Sequence, residues 1–324
     1  MGSLKGKYAI TSNFPLDFHA MLLKLESSQD IGFGYYTDSS DLQITVDWPE
    51  EAVIEITKKD GDTGKNLAGA VYGVYSDNAC TKLIVKMPPT DSNGSSRVTL
   101  TKTQDTVYLK EITAPEGYVV QASSYRVKLV VGSTTKQTVT DKEQKGNLTV
   151  YKEGEVFVGA VSDENGTSFQ YEKRRQKGAV YNVYAAEDIV TAGGKTVYKK
   201  GAEVAKNLIT GENGSVTVKN LPLGSYNVTE AQAPENFYNA KETKKVTISY
   251  AGQTAEAAFS ETTFTNDRQK AVVQVIKKDK DTENTLSGGH FALFAAQDMK
   301  TVDGKVAVKK DALIETAITG TDGK

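Results

Sequence analysis

Three lysines follow short segments in which apolar residues alternate with others, and their side chains are predicted to point inward. They are Lys58 after Ile54 and Ile56, Lys152 after Leu148 and Val150, and Lys277 after Val273 and Val275. Successive side chains of a β-strand point to opposite faces, so a lysine two positions after a core residue faces the core. Burial disfavours the ammonium form, and the neutral amine is a nucleophile. These lysines are therefore candidates for chemistry inside the fold.

Side-chain carbonyl groups occur at matching places further along the chain. Asp141 shares a strand face with Val139, and Asn266 shares one with Phe264. A core-facing lysine in a first strand and a core-facing Asp or Asn in a last strand form a costly arrangement if they stay ionic and unpaired.

Two glutamates open similar boxes between each lysine and its Asx residue. The Glu-x-x-Ala-Pro pattern starts at Glu111 and at Glu230, and it continues to Tyr118 in the first copy. The sequence therefore carries two complete sets of lysine, glutamate and Asx.

An internal repeat gives the domain organisation. The pattern at 69–75, Gly-Ala-Val-Tyr-Gly-Val-Tyr, recurs at 178–184 and more loosely at 288–294. We predict complete repeats at 51–145 and 146–269 and a partial repeat at 270–324. We interpret residues 1–50 as the tail of a preceding domain and the whole chain as a fragment of a longer protein.

Strand signals separated by Gly, Asn and Asp turns run through all the repeats, and no amphipathic helix of four turns is recognisable. We therefore expect an all-β protein in which each repeat is an Ig-like β-sandwich of about seven strands. The second repeat has additional residues at about 153–177, which we expect to form an exposed loop or hairpin.

The lysine, the glutamate box and the Asx residue together resemble the CnaB-type (SpaA-like, prealbumin-like) domains of Gram-positive pilins and surface adhesins, over about residues 51–324. The resemblance implies tandem prealbumin-like sandwiches, each with a spontaneous isopeptide bond between the lysine amine and the Asx side chain. Carried over by position, it pairs Lys58 with Asp141 and Lys152 with Asn266. For Lys277 it implies a partner beyond residue 324.

The resemblance also assigns a catalytic role to Glu111 and Glu230, as proton shuttles that assist at the Asx carbonyl. Folding would supply the proximity for amide formation without ATP, because effective molarities of about 10⁵ M are reached in well-oriented intramolecular reactions. The reaction would occur once per domain, so it is self-modification and not enzymatic turnover.

The composition argues against several other classes of function. The net charge of -2 does not favour nucleic acid or an anionic membrane as a partner, and the apolar runs are too short for a membrane span. The single cysteine, Cys80, excludes a disulfide within the chain and a cysteine-based metal cluster. We expect no cofactor and no metal.

The leading hypothesis is a structural stalk or backbone segment of a bacterial cell-surface adhesin or pilus-like protein, extracellular and in the cell wall, whose partners are neighbouring domains of the same chain. One alternative is an adhesive module that binds a host extracellular protein or glycan. It predicts an exposed aromatic or apolar patch in one repeat, at about 153–177. Another alternative is an accessory β-sandwich region of a larger surface enzyme.

Overall fold

The computed structural model describes residues 8–11, 41–44 and 50–324, and within them it contains twenty-four β-strands and no helix. The all-β prediction is thus confirmed. Before residue 50, the described strands are β1 (Tyr8–Thr11) and β2 (Asp41–Ile44), which pair antiparallel. The rest of the predicted tail of a preceding domain lies outside the described residues.

The first repeat contains eight strands instead of the expected seven, because the short strand β8 follows the glutamate box. The strands are β3 (Glu51–Asp60), β4 (Val71–Tyr75), β5 (Leu83–Lys86), β6 (Ser95–Thr101), β7 (Thr106–Thr113), β8 (Tyr118–Val119), β9 (Ser124–Lys128) and β10 (Thr134–Glu143). They form two four-stranded sheets, in the orders β6-β3-β10-β8 and β5-β4-β7-β9. The first strand β3 and the last strand β10 are parallel neighbours.

Alternation along the strands builds the core between the two sheets. In β3, every second residue from Ala52 to Asp60 is buried, and Ile54 and Ile56 are fully enclosed. Tyr72, Val74 and Leu109 face them from the other sheet. Each large apolar side chain of this kind stabilises the fold by ~1.5–3 kcal/mol when it leaves water.

The second repeat repeats this plan with ten strands. They are β11 (Lys145–Asp163), β12 (Gly166–Arg175), β13 (Val180–Ala185), β14 (Ile189–Val190), β15 (Thr196–Tyr198), β16 (Glu203–Ile209), β17 (Ser215–Pro222), β18 (Gly224–Gln232), β19 (Thr243–Ile248) and β20 (Ala257–Asn266). The first strand β11 again pairs in parallel with the last strand β20, and β16-β13-β18-β19 form the opposite sheet.

The additional residues of the second repeat form a hairpin. β11 continues beyond the sandwich and pairs antiparallel with β12. We call residues 155–175 the arm. Its backbone contacts the third repeat, since the amide of Val302 donates to the carbonyl oxygen of Phe157 at 2.9 Å. Beside it, Nη1 of Arg174 donates to both carboxylate oxygens of Asp303, at 3.0 and 3.3 Å.

The third repeat departs from the sequence prediction. Its described strands are β21 (His290–Phe294), β22 (Met299–Lys300), β23 (Val306–Val308) and β24 (Leu313–Ile318), which form two short antiparallel pairs. The predicted strand before Lys277 is wrong for this structure: residues 271–277 form no strand, Val273 is 70% exposed and Lys277 is exposed. In the other two repeats the lysine strand lies between two neighbouring strands, whereas residues 271–277 have no such neighbours among the described residues.

The first two repeats contact each other closely. One residue, Gln144, separates β10 from β11, and its side-chain amide donates to the carbonyl oxygens of Gly252 and Ala255 at 2.9 and 2.7 Å. The hydroxyl of Tyr250 donates to the carbonyl oxygen of Tyr118 at 2.9 Å. These contacts hold the first two units close together.

The parallel pair of first and last strands offers a matched test of core packing. Leu148 on β11 is fully buried, and Phe259 on the neighbouring β20 is 78% exposed. We expect Leu148→Ala to lower the free energy of unfolding of the second repeat by ~2–5 kcal/mol. Phe259→Ala should change it by less than about 0.5 kcal/mol, as calorimetric unfolding would measure. Equal effects would contradict the inward direction assigned to β11.

Candidate functional site

The first candidate site lies between the two sheets of the first repeat. In the parallel pair of β3 and β10, Lys58 is opposite Val139, and Asp141 lies two residues further along on the same face. The long lysine side chain leans along the strand and reaches that position. Glu111 comes from β7 in the opposite sheet, where it is opposite Tyr72 on β4.

The structure brings the three predicted residues of this site into direct contact. The Nζ of Lys58 donates to Oε1 of Glu111 at 2.7 Å, to Oδ1 of Asp141, and to the hydroxyl of Tyr72 at 2.9 Å. Lys58 is 0% exposed, Asp141 1% and Glu111 4%. The inward direction predicted from strand parity is therefore what the structure contains.

Charge at this site is unbalanced, because one ammonium faces two carboxyl groups away from water. Burial raises the pKa of the Asp141 carboxyl to about 7, although Lys58 acts in the opposite direction. The second oxygen of that carboxyl, Oδ2, is buried without a hydrogen-bond partner among the described residues. Both observations favour a proton on Asp141 near neutral pH.

The second candidate site occupies the equivalent position between the two sheets of the second repeat. Lys152 on β11 is opposite Phe264, and Asn266 lies two residues further along β20. Glu230 on β18 is opposite Tyr181 on β13. All three predicted residues are buried, with Lys152 fully enclosed.

Contacts at the second site differ from those at the first. The Nζ of Lys152 is 3.1 Å from Oε1 of Glu230, but it makes no aligned hydrogen bond with any described residue. The amide of Asn266 donates to Oε2 of Glu230 at 2.8 Å. Burial lowers the pKa of the Lys152 amine, against the attraction of Glu230, so its neutral form becomes more accessible.

The sequence reasoning missed a second buried pair beside the first site. The hydroxyl of Tyr118, the last residue of the glutamate box, donates to Oδ2 of Asp60 at 2.6 Å, and Asp60 is two residues after Lys58 on the same face. The strand parity that places Lys58 inward also applies to Asp60, so this signal was available in the sequence.

The corresponding pair of the second repeat is apolar. Gly154 and Phe237 occupy these positions, and a Cβ atom on Gly154 would lie 2.2 Å from Cε1 of Phe237. The aromatic ring therefore requires glycine opposite it. The two positions differ together between the repeats, from Asp with Tyr to Gly with Phe.

The third predicted lysine is not part of an assembled site. Lys277 is exposed, and no carboxyl or carboxamide partner is within hydrogen-bond reach of its Nζ among the described residues. Its backbone amide donates to the carbonyl oxygen of Gly323 at 2.8 Å, as that of Lys58 does to Gly94 and that of Lys152 to Gly214. This one backbone hydrogen bond of the lysine is thus common to all three repeats.

The arm contains an aromatic cluster within 153–177, where the adhesive hypothesis predicts an exposed patch, but Phe157 and Phe169 are half-buried and Tyr171 is 36% exposed. The ring of Phe157 lies 5.7 Å from that of Phe169 and 5.9 Å from that of Tyr171. The guanidinium of Arg268 covers Tyr171 at 3.8 Å from the ring centre. Because Phe157 also contacts the third repeat through Val302, this cluster is partly occupied by contacts within the chain.

Neither a metal site nor a membrane span is recognisable in the part of the chain that the structure describes. No cluster of three His, Cys, Asp or Glu side chains has a metal-binding arrangement there. A helix with the length and apolar character needed to cross a bilayer does not occur in that part either.

A family model of the SpaA prealbumin-like fold domain matches residues 52–144 and again residues 170–263, which is more than half of the 324 residues. The chain therefore belongs to this family of prealbumin-like domains, and the resemblance expected from the sequence is confirmed. The first match includes Lys58, Glu111 and Asp141. The second includes Glu230 but leaves Lys152 and Asn266 outside its limits.

Solved structures with a similar fold include the Bacillus anthracis TIE protein, with a TM-score of 0.50 and 23% identity over 88% of this chain. This chain spans 44% of the length of that protein. The minor pilin GBS52 of Streptococcus agalactiae has 15% identity over 70% of this chain and 100% of its own, with a TM-score of 0.28.

The major pilin subunit BcpA of Bacillus cereus has 14% identity over 68% of this chain and 100% of its own, with a TM-score of 0.27. Curated proteins give no match.

The hydrogen bond between Tyr118 and Asp60 can be tested by removing one hydroxyl. Tyr118→Phe would leave Oδ2 of Asp60 buried without its donor, and we expect a loss of ~1–3 kcal/mol in the unfolding free energy of the first repeat. Tyr108→Phe is the matched control, because the Tyr108 hydroxyl has no hydrogen bond among the described residues. Thermal unfolding of both variants checks the difference, and equal midpoints would contradict a stabilising role for the pair.

Proposed function

We propose that this chain is a structural stalk segment of a bacterial surface or pilus-like protein, built from tandem sandwiches that cross-link themselves. The units are 51–145, 146–269 and 270–324. The observation that carries the proposal is the buried contact of Lys58 with Glu111 and Asp141, between the first and last strands of one sandwich. The same constellation of lysine, glutamate and Asx in the second repeat supports it.

The proposed chemistry is amide formation between side chains. At the first site the Lys58 amine attacks Cγ of Asp141, a C–O bond breaks and water leaves. At the second site the Lys152 amine attacks Cγ of Asn266, a C–N bond breaks and ammonia leaves. Glu111 and Glu230 lie beside the amines and act as proton shuttles between the attacking nitrogen and the leaving group. Each site reacts once.

The strand order gives the bond a mechanical role. The chain enters the first repeat at β3 and leaves it at β10, and these strands are parallel neighbours. Tension along the chain would pull them past each other and break their hydrogen bonds. With Lys58 joined to Asp141, the tension passes through a covalent bond, and residues 59–140 carry no load.

Thermodynamic stabilisation follows from loop closure. Lys58 and Asp141 are 83 residues apart in the sequence. Closing a loop of this length restricts the unfolded chain and contributes ~4–5 kcal/mol per bond, by analogy with disulfides. A load-bearing chain of this kind belongs outside the cell, so we propose an extracellular location at the cell wall, with neighbouring domains as the principal partners.

Intact mass under denaturing conditions tests the cross-links. We expect the chain to be lighter than its sequence by one water and one ammonia. Lys58→Met should abolish the water loss alone, because the second site is independent of the first. Lys59→Met is the matched control, since its amine lies on the exposed side and bonds Asn66. A wild-type chain with the full mass of its sequence would contradict the proposed function.

The glutamate role is tested at the second site. Glu230→Ala should prevent the loss of ammonia and lower the stability of the second repeat by the loop-closure contribution of ~4–5 kcal/mol. The Glu230→Ala chain should still lose water at the first site, and this loss serves as the internal control. If the variant still loses ammonia at the normal rate, the shuttle assignment is wrong.

Single-molecule stretching tests the mechanical role. We expect the wild-type chain to show no extension step for residues 59–140. Lys58→Met should add such a step, of roughly 270–300 Å for a fully extended chain at ~3.3–3.6 Å per residue. Lys59→Met should not add it. The appearance of this step in the wild-type chain would mean that tension does not pass through a Lys58–Asp141 bond.

A further inference from the structure

The amine of the first site has one acceptor for each of its three ammonium hydrogens. They are Oε1 of Glu111, Oδ1 of Asp141 and the hydroxyl oxygen of Tyr72. An ammonium group donates three hydrogen bonds in a tetrahedral arrangement, so these three partners fix its rotation about the Cε–Nζ bond. Glu111 and Asp141 take part in the proposed cross-linking reaction, whereas that reaction does not itself use Tyr72.

Tyr72 is well placed to hold the amine. It is 0% exposed, and it lies opposite Glu111 in the register of β4 and β7. Burial, together with the nearby charges of Glu111 and Asp141, raises the pKa of the Tyr72 hydroxyl. The phenol therefore keeps its proton and offers an oxygen lone pair to Lys58.

We propose that Tyr72 is a positioning residue for the cross-link of the first repeat: its hydroxyl holds one N–H of Lys58, so that the nitrogen lone pair formed on deprotonation is directed at the Asp141 carboxyl. This inference depends on the proposed isopeptide reaction. It assigns a different fate to each of the three ammonium hydrogens.

The hydrogen that faces Asp141 supplies the proton that this carboxyl carries near neutral pH. Its transfer from Lys58 gives a neutral amine and a carboxylic acid, and the lone pair left behind is directed at the carboxyl group. After the N–C bond has formed, Glu111 takes the second hydrogen and passes it to the leaving hydroxyl. The C–O bond breaks, and water leaves with both protons. The third hydrogen stays on nitrogen as the amide N–H, bonded to Tyr72.

In the second repeat no tyrosine hydroxyl bonds the lysine amine, and the comparison indicates what the Tyr72 hydroxyl contributes in the first. Tyr181 occupies the equivalent position, but its hydroxyl is 3.5 Å from Oε1 of Glu230 and makes no bond to Lys152. Burial lowers the pKa of Lys152, which faces a neutral carboxamide and one carboxylate. At the first site two carboxyl groups surround the amine, so its hydrogens can be attracted in more than one direction. An additional acceptor there restricts the orientation.

The test measures both reactions in the same 324-residue chain during pulse-labelled cell-free synthesis. Cross-linked peptides identified by mass spectrometry report water loss at the first site and ammonia loss at the second. We expect Tyr72→Phe to slow the water loss about tenfold to a hundredfold, as for the loss of one hydrogen bond to a charged group. Ammonia loss should keep its wild-type rate and acts as an internal clock.

Two controls separate positioning from packing. Tyr108→Phe, which removes a hydroxyl elsewhere in the same repeat, should leave the water loss unchanged. In a Lys58→Met chain, where no ammonium needs to be held, Tyr72→Phe should leave the thermal midpoint of the first repeat nearly unchanged. A large drop of the midpoint in that chain would assign Tyr72 to packing and overturn the proposal.

The remaining outcomes distinguish this inference from the proposed function. If wild-type and Tyr72→Phe chains lose water at the same rate, the positioning role is wrong and the cross-link stands. If the wild-type chain loses no water, the cross-link of the first repeat fails and the role of Tyr72 fails with it.

Discussion

Each complete repeat encloses a lysine amine between its two β-sheets. An ammonium group in such a place is costly unless it is paired and hydrogen-bonded. The first strand supplies the lysine and the last strand supplies the Asx residue, while the opposite sheet supplies the glutamate. In the first repeat the amine therefore bonds groups of both sheets, and of the first and last strands, at one point, because the strand order of the sandwich brings these groups together.

The two sites surround the buried lysine amine with different charged groups. At the first, a second carboxyl is present, and burial raises the pKa of Asp141, which favours the protonated form of that carboxyl. At the second, Asn266 is neutral, so one carboxylate faces one amine whose pKa is lowered by burial. The neighbouring positions follow this division: the polar pair of Tyr118 and Asp60 accompanies the Asp site, and the apolar pair of Phe237 and Gly154 accompanies the Asn site.

Contacts between the repeats involve the same end of the first sandwich that holds the site. Gln144 and Tyr250 bond across the boundary, and the amide of Gly193 donates to Oε1 of Glu143 at 2.6 Å. Residue 143 ends the strand that carries Asp141. The end of the sandwich where a covalent bond would join first and last strands is thus also the end where the next unit is attached, which suits the transmission of tension along the chain.

The sequence by itself determined the all-β class, the repeat, and the inward direction of Lys58, Lys152, Asp141 and Asn266, because side-chain direction in a strand follows from a period of two. The same reasoning failed for Lys277, since a strand also needs neighbouring strands, and residues 271–277 have none in the part of the chain that the structure describes. The resemblance to a known family already grouped Glu111 and Asp141 with Lys58, but only the tertiary structure decided that Tyr72 meets the amine and that Gln144 bonds the second repeat. Such contacts depend on how sheets and repeats face each other, and periodicity along one strand carries no information about that.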